Sequence, residues 1–270
     1  MEQKLAQLKE LIASLESVAV AFSAGVDSTL LLAVAHEVLG ERAVAFNAAS
    51  LANPAREVGE AAAFCAERGI RLISFEVDEL EVDGFSQNPP NRCYLCKTHL
   101  FSEMLRRAEH EGLKCVVEGS NVDDLGDYRP GSQALKELGI RSPLQECGFT
   151  KREIRALSRE MGLPMWNKPS FACLYTRFPY GELITQEKVK RVDAAEQLLL
   201  DLGFSSVRVR STGEGSGSVA RIEVAPDEVV KVVETPVRER IVTQFKALGF
   251  TYVTLDLQGY RTGSMNESIE

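Results

Sequence analysis

Apolar and polar positions follow two rhythms along this chain, and the rhythms take turns. Over residues 2–15 the apolar side chains Leu5, Leu8, Ile12 and Leu15 recur at helical spacing, predicting an amphipathic helix. Residues 17–22 then read Ser-Val-Ala-Val-Ala-Phe, an apolar run without alternation, as expected of a strand covered on both faces. The same pattern continues with helix 28–39, strand 42–47, helix 54–69 and strand 71–76. Strands alternating with helices imply an α/β fold with a doubly wound parallel sheet. After an irregular stretch containing Pro89-Pro90 come helix 97–111 and strand 114–118, and Thr150 with Glu153 forms a capping box for helix 151–161. From Pro164 to Gly181 the pattern is that of a loop. Beyond it, helix 186–202, strand 207–210, a Gly/Ser hairpin at 212–218, strand 220–224, helix 235–248 and strand 252–256 make a smaller α+β module. We place a domain boundary near residue 180, giving domains 1–180 and 181–270.

The first strand runs into Ser23-Ala24-Gly25-Val26-Asp27-Ser28, which opens a helix. Small residues at a strand-to-helix turn expose backbone N–H groups, and the helix adds unpaired donors and its positive dipole end, so the turn suits a phosphate-rich anion. Ser23 and Ser28 add hydroxyl donors. The Gly-Lys-Ser/Thr ending of a Walker loop is missing, and with it the lysine that would reach the outer phosphates. The turn resembles instead the PP-loop, Ser-Gly-Gly-x-Asp-Ser, of the ATP pyrophosphatases, which split ATP between its α and β phosphates. Ala24 stands where that motif has its first Gly, which requires φ below zero at this residue. The resemblance implies ATP and Mg²⁺, with Asp27 holding the metal or positioning phosphates. Glu118 to Asp124 follows a strand, at the edge where ligands of such sheets bind, so Gly119 and Asn121 join the candidate ATP contacts. The adenine is expected near Asn47 to Ser50 and Glu118 to Asn121.

Composition narrows the picture. The chain has 270 residues, 44% hydrophobic and 26% charged, with 39 acidic against 31 basic side chains and a net charge of -8. That balance argues against a broad nucleic-acid surface and leaves room for a local basic pocket. No apolar stretch approaches the roughly 20 residues of a membrane span, and the N-terminus does not read as a signal peptide, so a cytoplasmic location is expected. Six cysteines in such a chain read as packing, redox or metal positions rather than structural disulfides. Cys65 and Cys115 fall in apolar segments and read as core. Cys147 offers no chemical cue. Cys93 and Cys96 form a Cys-x-x-Cys pair at the mouth of a helix between Arg92 and Lys97, where positive charge favours the thiolate. Cys173, in the loop, is a third candidate. Lys97, Arg177, Arg208 and Arg210 are candidates for an anionic substrate. Arg208 and Arg210 share a strand face that is either a binding face or a solvated one. Glu196 and Glu223 could bind a metal but read by default as exposed carboxylates.

Several motifs together, Asn91 to Lys97, Asn121 to Gly131, Trp166 to Pro169, Cys173 to Gly181, Val207 to Arg210 and Thr254 to Asn266, are similar to the LarE-type ATP-dependent sulfur transferases over nearly the whole chain. That resemblance implies a PP-loop fold of the adenine nucleotide α hydrolase-like type, a homo-oligomer and a C-terminal module for substrate or oligomerisation. It also implies a small-molecule nucleotide substrate, pyridinium-3,5-biscarboxylic acid mononucleotide, whose carboxylates are adenylated and become thiocarboxylates for a nickel-pincer cofactor. Neither a nucleic acid nor a membrane is an expected partner. Within the family Cys93, Cys96 and Cys173 match a three-cysteine version that is similar to iron–sulfur sulfur transferases. Three thiolates can hold a [4Fe–4S] cluster and leave one iron open to a transferable sulfide. The alternatives are sacrifice of the Cys173 sulfur, tRNA thiolation, and a nucleotide-sensing module without catalysis. An amidating enzyme would leave the cysteines idle.

Overall fold

In the computed structural model, residues 1–54, 58–126, 130–168 and 172–261 are described. The tripeptide Asp127-Tyr128-Arg129, Pro169 to Phe171, and the closing residues 262–270 lie outside them, with the motif positions they carry. By contact the chain divides into two units: residues 1–50, 55–82 and 91–170, and residues 51–54, 83–90 and 171–270.

In the first unit, helix α1 (Glu2–Ser14) precedes strand β1 (Val18–Ala21), helix α2 (Val26–Leu39), strand β2 (Ala43–Ala49), helix α3 (Val58–Arg68) and strand β3 (Leu72–Glu76). Helix α4 (Arg92–His110) leads to strand β4 (Cys115–Val117). The strands form one parallel sheet in the order β3-β2-β1-β4, an α/β fold of the PP-loop type. β1 is central, pairing Val18 with Ala43 on one side and with Cys115 on the other. This explains its unbroken apolar run: Val18, Ala19 and Val20 are fully buried. α2 is apolar on most of its surface because it lies inside the core, with Leu30, Leu31, Leu32, Val34 and Ala35 all sealed from solvent. Three further helices complete the unit: α5 (Pro130–Glu137), α6 (Pro143–Glu146) and α7 (Lys151–Glu160). The first two were not anticipated, because eight and four residues are too short to display a period. At α7 the Thr150–Glu153 capping box is present with both of its bonds.

In the second unit, helix α8 (Gln186–Asp201) packs against strand β5 (Val207–Thr212), which pairs antiparallel with strand β6 (Val219–Val224). Helices α9 (Val229–Val233) and α10 (Thr235–Ala247) follow, and strand β7 (Tyr252–Leu255) pairs parallel with β6. Residues 51–54 and 83–90 belong here through backbone bonds: Leu174 N–H donates to Ala52 O at 2.9 Å, Gly181 N–H to Asn88 O at 2.9 Å and Ile184 N–H to Ser86 O at 2.8 Å. No described helix is long and apolar enough to cross a membrane.

Candidate functional site

At the C-terminal end of the parallel sheet, the turn between β1 and α2 opens into a cavity of about 460 Å³ lined by Ala21, Ser23, Gly25, Asp27 and Ser28 on one side and by Glu118 to Asn121, Asp123, Asp124 and Lys151 on the other. Six of the anticipated nucleotide contacts meet here: Ser23, Gly25, Asp27, Ser28, Gly119 and Asn121. Ala24 and Val26 belong to the same turn, but their side chains are buried in the core, and Asn47 and Ser50 are not in the described lining. Asn47 instead gives its amide N–H to Phe22 O at 2.8 Å, tying the end of β1 to β2.

The expectation for Ala24 is corrected. Its φ is +53°, in the left-handed region, at a conformational cost of about 1–2 kcal/mol for a residue with a Cβ. The packed methyl group and a hydrogen bond from Lys168 Nζ to Ala24 O at 3.3 Å hold it there. A left-handed residue ahead of a helix turns successive N–H groups toward a common concavity, the geometry of an anion nest. The two serine hydroxyls are 3.2 Å apart, and Ser28 Oγ donates to Gly25 O at 3.2 Å. Gly119 closes the opposite wall so tightly that a Cβ would come within 3.0 Å of Ser28 N and 3.3 Å of the Asp27 carbonyl carbon.

The sequence shows no lysine in this turn, yet the fold supplies one. Lys151, the first residue of α7, reaches back and pairs with Asp27, although 124 residues separate them. Its backbone N–H donates to Asp123 Oδ2 at 2.7 Å, and Asn121 Nδ2 donates to the other Asp27 oxygen at 3.3 Å. Lys4 fixes the start of α7 through Glu153 at 2.8 Å, and this hydrogen bond, with the capping bonds, pulls the Glu153 carboxyl down to a pKa of about 2. Lys168, from the Trp-Asn-Lys-Pro motif, pairs with Glu60 as well as with the Ala24 carbonyl. The only sequence signal for Lys151 was its place inside the capping box, directly after Thr150. Glu118 is buried and accepts from Ser120 Oγ at 2.8 Å and from Ser142 Oγ.

Cys93 and Cys96 lie inside α4, not before it, because the helix starts at Arg92, five residues ahead of the expected position, directly after Pro89-Pro90 and its Asn91 cap. They therefore sit one turn apart on one helix face, Cys93 exposed and Cys96 half-buried. The stem of Lys97 packs over Gly131, where a Cβ would meet its Cδ at 2.8 Å. Cys65 is core as expected, and burial pushes its thiol up to about 11. Cys115 and Cys147 are half-buried against the same core, and burial raises both thiols. Cys173 belongs to the second unit, capping the short turn Leu174–Arg177. Among the described residues, no three His, Cys, Asp or Glu side chains converge within either unit as a metal-binding group.

The arginines of the second unit are interior groups. Arg177 is fully buried and pairs with fully buried Glu196, Nε to Oε1 at 2.6 Å and Nη2 to Oε2 at 3.0 Å. Its remaining nitrogen, Nη1, donates to Ala172 O at 3.0 Å, Cys173 O at 3.3 Å and Thr176 Oγ1 at 2.8 Å, so it organises the turn that carries Cys173. Arg210 forks onto Glu223 at 3.0 and 2.9 Å and donates to Thr176 O at 2.8 Å. Arg208 lies over the Tyr260 ring at 4.7 Å, and burial, followed by the like charge of Arg177, lowers its pKa. A solvated face for Arg208 and Arg210, and exposed positions for Glu196 and Glu223, are thereby corrected: all four side chains are buried. Their partners explain it: Arg210 pairs with Glu223 on the neighbouring strand, and Glu196, on the helix α8 that packs over β5, pairs with Arg177.

A scan of protein-family models gives no match. The chain is 43% identical over 266 residues, 98% of both chains, to an uncharacterised protein of Synechocystis. It is 38% identical over 267 residues, 98% of this chain and 95% of the other, to the pyridinium-3,5-bisthiocarboxylic acid mononucleotide synthase of Lactiplantibacillus plantarum. An uncharacterised protein of Methanocaldococcus jannaschii is 32% identical over 183 residues, 68% of this chain and 69% of that one.

Proposed function

The chain belongs to the family of the pyridinium-3,5-bisthiocarboxylic acid mononucleotide synthase, and on that footing we propose that it is an ATP-dependent sulfur transferase acting on the carboxylates of pyridinium-3,5-biscarboxylic acid mononucleotide in nickel-pincer cofactor biosynthesis. The observation that carries the proposal is the cavity in which the Ser23 to Ser28 turn faces Gly119 and Asn121.

ATP enters with its phosphates against the turn amides and the N-terminus of α2. A substrate carboxylate oxygen attacks the α phosphorus, the bond to the bridging oxygen breaks, and pyrophosphate leaves with that electron pair. Asp27 is suited to hold Mg²⁺, which takes one or two carboxylates together with phosphate oxygens, and the loop N–H groups stabilise the charge on the departing pyrophosphate. The acyl adenylate then loses AMP to an incoming sulfur, giving the thiocarboxylate.

Cys93, Cys96 and Cys173 are proposed to hold a [4Fe–4S] cluster. Their donor chemistry fits it, since two thiols stand one turn apart on the outer face of α4 while Cys65 is sealed in the core. Where bound, the cluster supplies a sulfide at the iron not ligated by cysteine. Lys97 offers positive charge for the substrate's phosphate and carboxylates, whereas Arg177, Arg208 and Arg210 are buried, Arg210 being spent on Glu223 and Arg177 on Glu196 and the Cys173 turn.

The test is product analysis with ATP and the biscarboxylate nucleotide. AMP, pyrophosphate and a substrate mass shifted by oxygen-for-sulfur exchange are expected. Substrate-dependent ADP and phosphate would overturn the assignment.

A further inference from the structure

We propose that Lys151 is the cation that receives the phosphates of ATP, and that its ion pair with Asp27 is the resting state of an exchange: incoming phosphate takes Lys151 and releases Asp27 to the metal. The inference rests on reading the cavity as the ATP site and adds to it a residue from outside the PP-loop.

Charge motivates it first. The described lining of the cavity carries four carboxylates, Asp27, Glu118, Asp123 and Asp124, against one cationic side chain, Lys151. A polyphosphate entering that cavity meets a net negative wall unless a cation turns toward it. The backbone turn supplies dipoles, and the lysine supplies the full charge that a Walker loop carries in its own sequence.

Geometry supplies the second argument. The root of Lys151 is fixed: its N–H is bound by Asp123, and the preceding residue caps α7 within the network of Glu153 and Lys4. Only the flexible stem has to move. The side chain is 30% exposed and Asp27 is 21% exposed, so the pair is partly solvated and weak enough to exchange for a more highly charged partner. Asp27 stays in place when Lys151 leaves, because Asn121 holds its other oxygen. In the resting state Lys151 occupies the oxygen Asp27 would offer to Mg²⁺, so the arrival of phosphate at Lys151 opens the metal's place.

Calorimetric titration of the full chain with inorganic pyrophosphate, with and without Mg²⁺, tests this. Loss of one charge-assisted contact predicts that Lys151→Gln weakens metal-free pyrophosphate binding about 10- to 100-fold, and Lys151→Arg restores most of it. Asp27→Asn should move affinity in opposite directions, tighter without Mg²⁺ because the competitor for Lys151 is gone and weaker with Mg²⁺ because the metal ligand is gone. That sign reversal is independent of how well the Lys151 variants fold. If Lys151→Gln melts like the wild type and binds pyrophosphate equally well, the exchange is wrong while the ATP cavity stands. A wild-type chain that binds neither pyrophosphate nor ATP removes both.

Discussion

Replacing Arg177 by Met tests how the second unit is held together. The guanidinium, on a side chain sealed from solvent, makes two buried bonds to Glu196 and three part-buried ones to the turn around Cys173. Met fills a similar volume without the charge. Among the described residues, Glu196, at 0% exposure, then keeps the Val209 N–H at 2.9 Å as its one donor. A buried carboxylate stripped of its cation costs about 3–5 kcal/mol. For a unit of this size that corresponds to a melting point lowered by at least about 12 °C. The carboxylate is the source of the penalty, so Arg177→Met with Glu196→Gln should recover at least about 2 kcal/mol, the Gln oxygen still accepting from Val209. Urea unfolding gives the free energies, and hydrogen exchange over residues 186–212 localises the loss to α8 and β5. An Arg177→Met loss below about 1 kcal/mol, or a double variant no better than the single, would refute the buried-pair argument.

Gly119→Ala should reduce ATP affinity at least about tenfold while the chain still folds, since a Cβ at 3.0 Å from Ser28 N pushes the turn itself; unchanged affinity in an ATP titration counts against a fixed turn. Under brief alkylation, peptide mass spectrometry should find Cys93 labelled first and Cys65 last, because Cys93 is exposed and Cys65 is buried with its thiol held mostly protonated. Repeated turnover should leave the polypeptide mass unchanged; loss of the elements of H₂S from Cys173 after one turnover would establish the sacrificial route instead. The Glu153 carboxyl, drawn down from an ordinary 4.5 to about 2, contributes stability that is present above 4.5 and lost as pH falls toward 2, so Glu153→Gln should flatten the acid limb of a pH–stability curve over that window.

The parallel sheet was legible because β1 and α2 are apolar in ways only a covered strand and a core helix require. The turn between them was legible because chemistry and structure occupy the same six residues. Lys151 was not, since nothing local marks a lysine whose partner lies 124 residues away. The burial of Arg208 and Arg210 was hidden for a similar reason: alternating charge on a strand reads as a wet face until Glu223 on β6 is known to stand opposite. Ala24 misled because propensity opposes a left-handed alanine, and packing with a lysine overrode it. The early start of α4 was legible in principle from Asn91, a residue type favoured at the cap position just ahead of a helix.

The scattered make-up of the second unit bears on how the protein is born. Asn88 emerges from the ribosome 90 residues before Phe178, whose carbonyl it binds at 3.1 Å. At about 5–20 residues per second, that segment waits roughly 5–18 s for its partner. During that interval the parallel sheet is already being assembled from the residues on either side of it. Nascent chains stalled before residue 171 should therefore carry a Phe85 ring not yet covered by Tyr175, making this stretch a natural handhold for a chaperone.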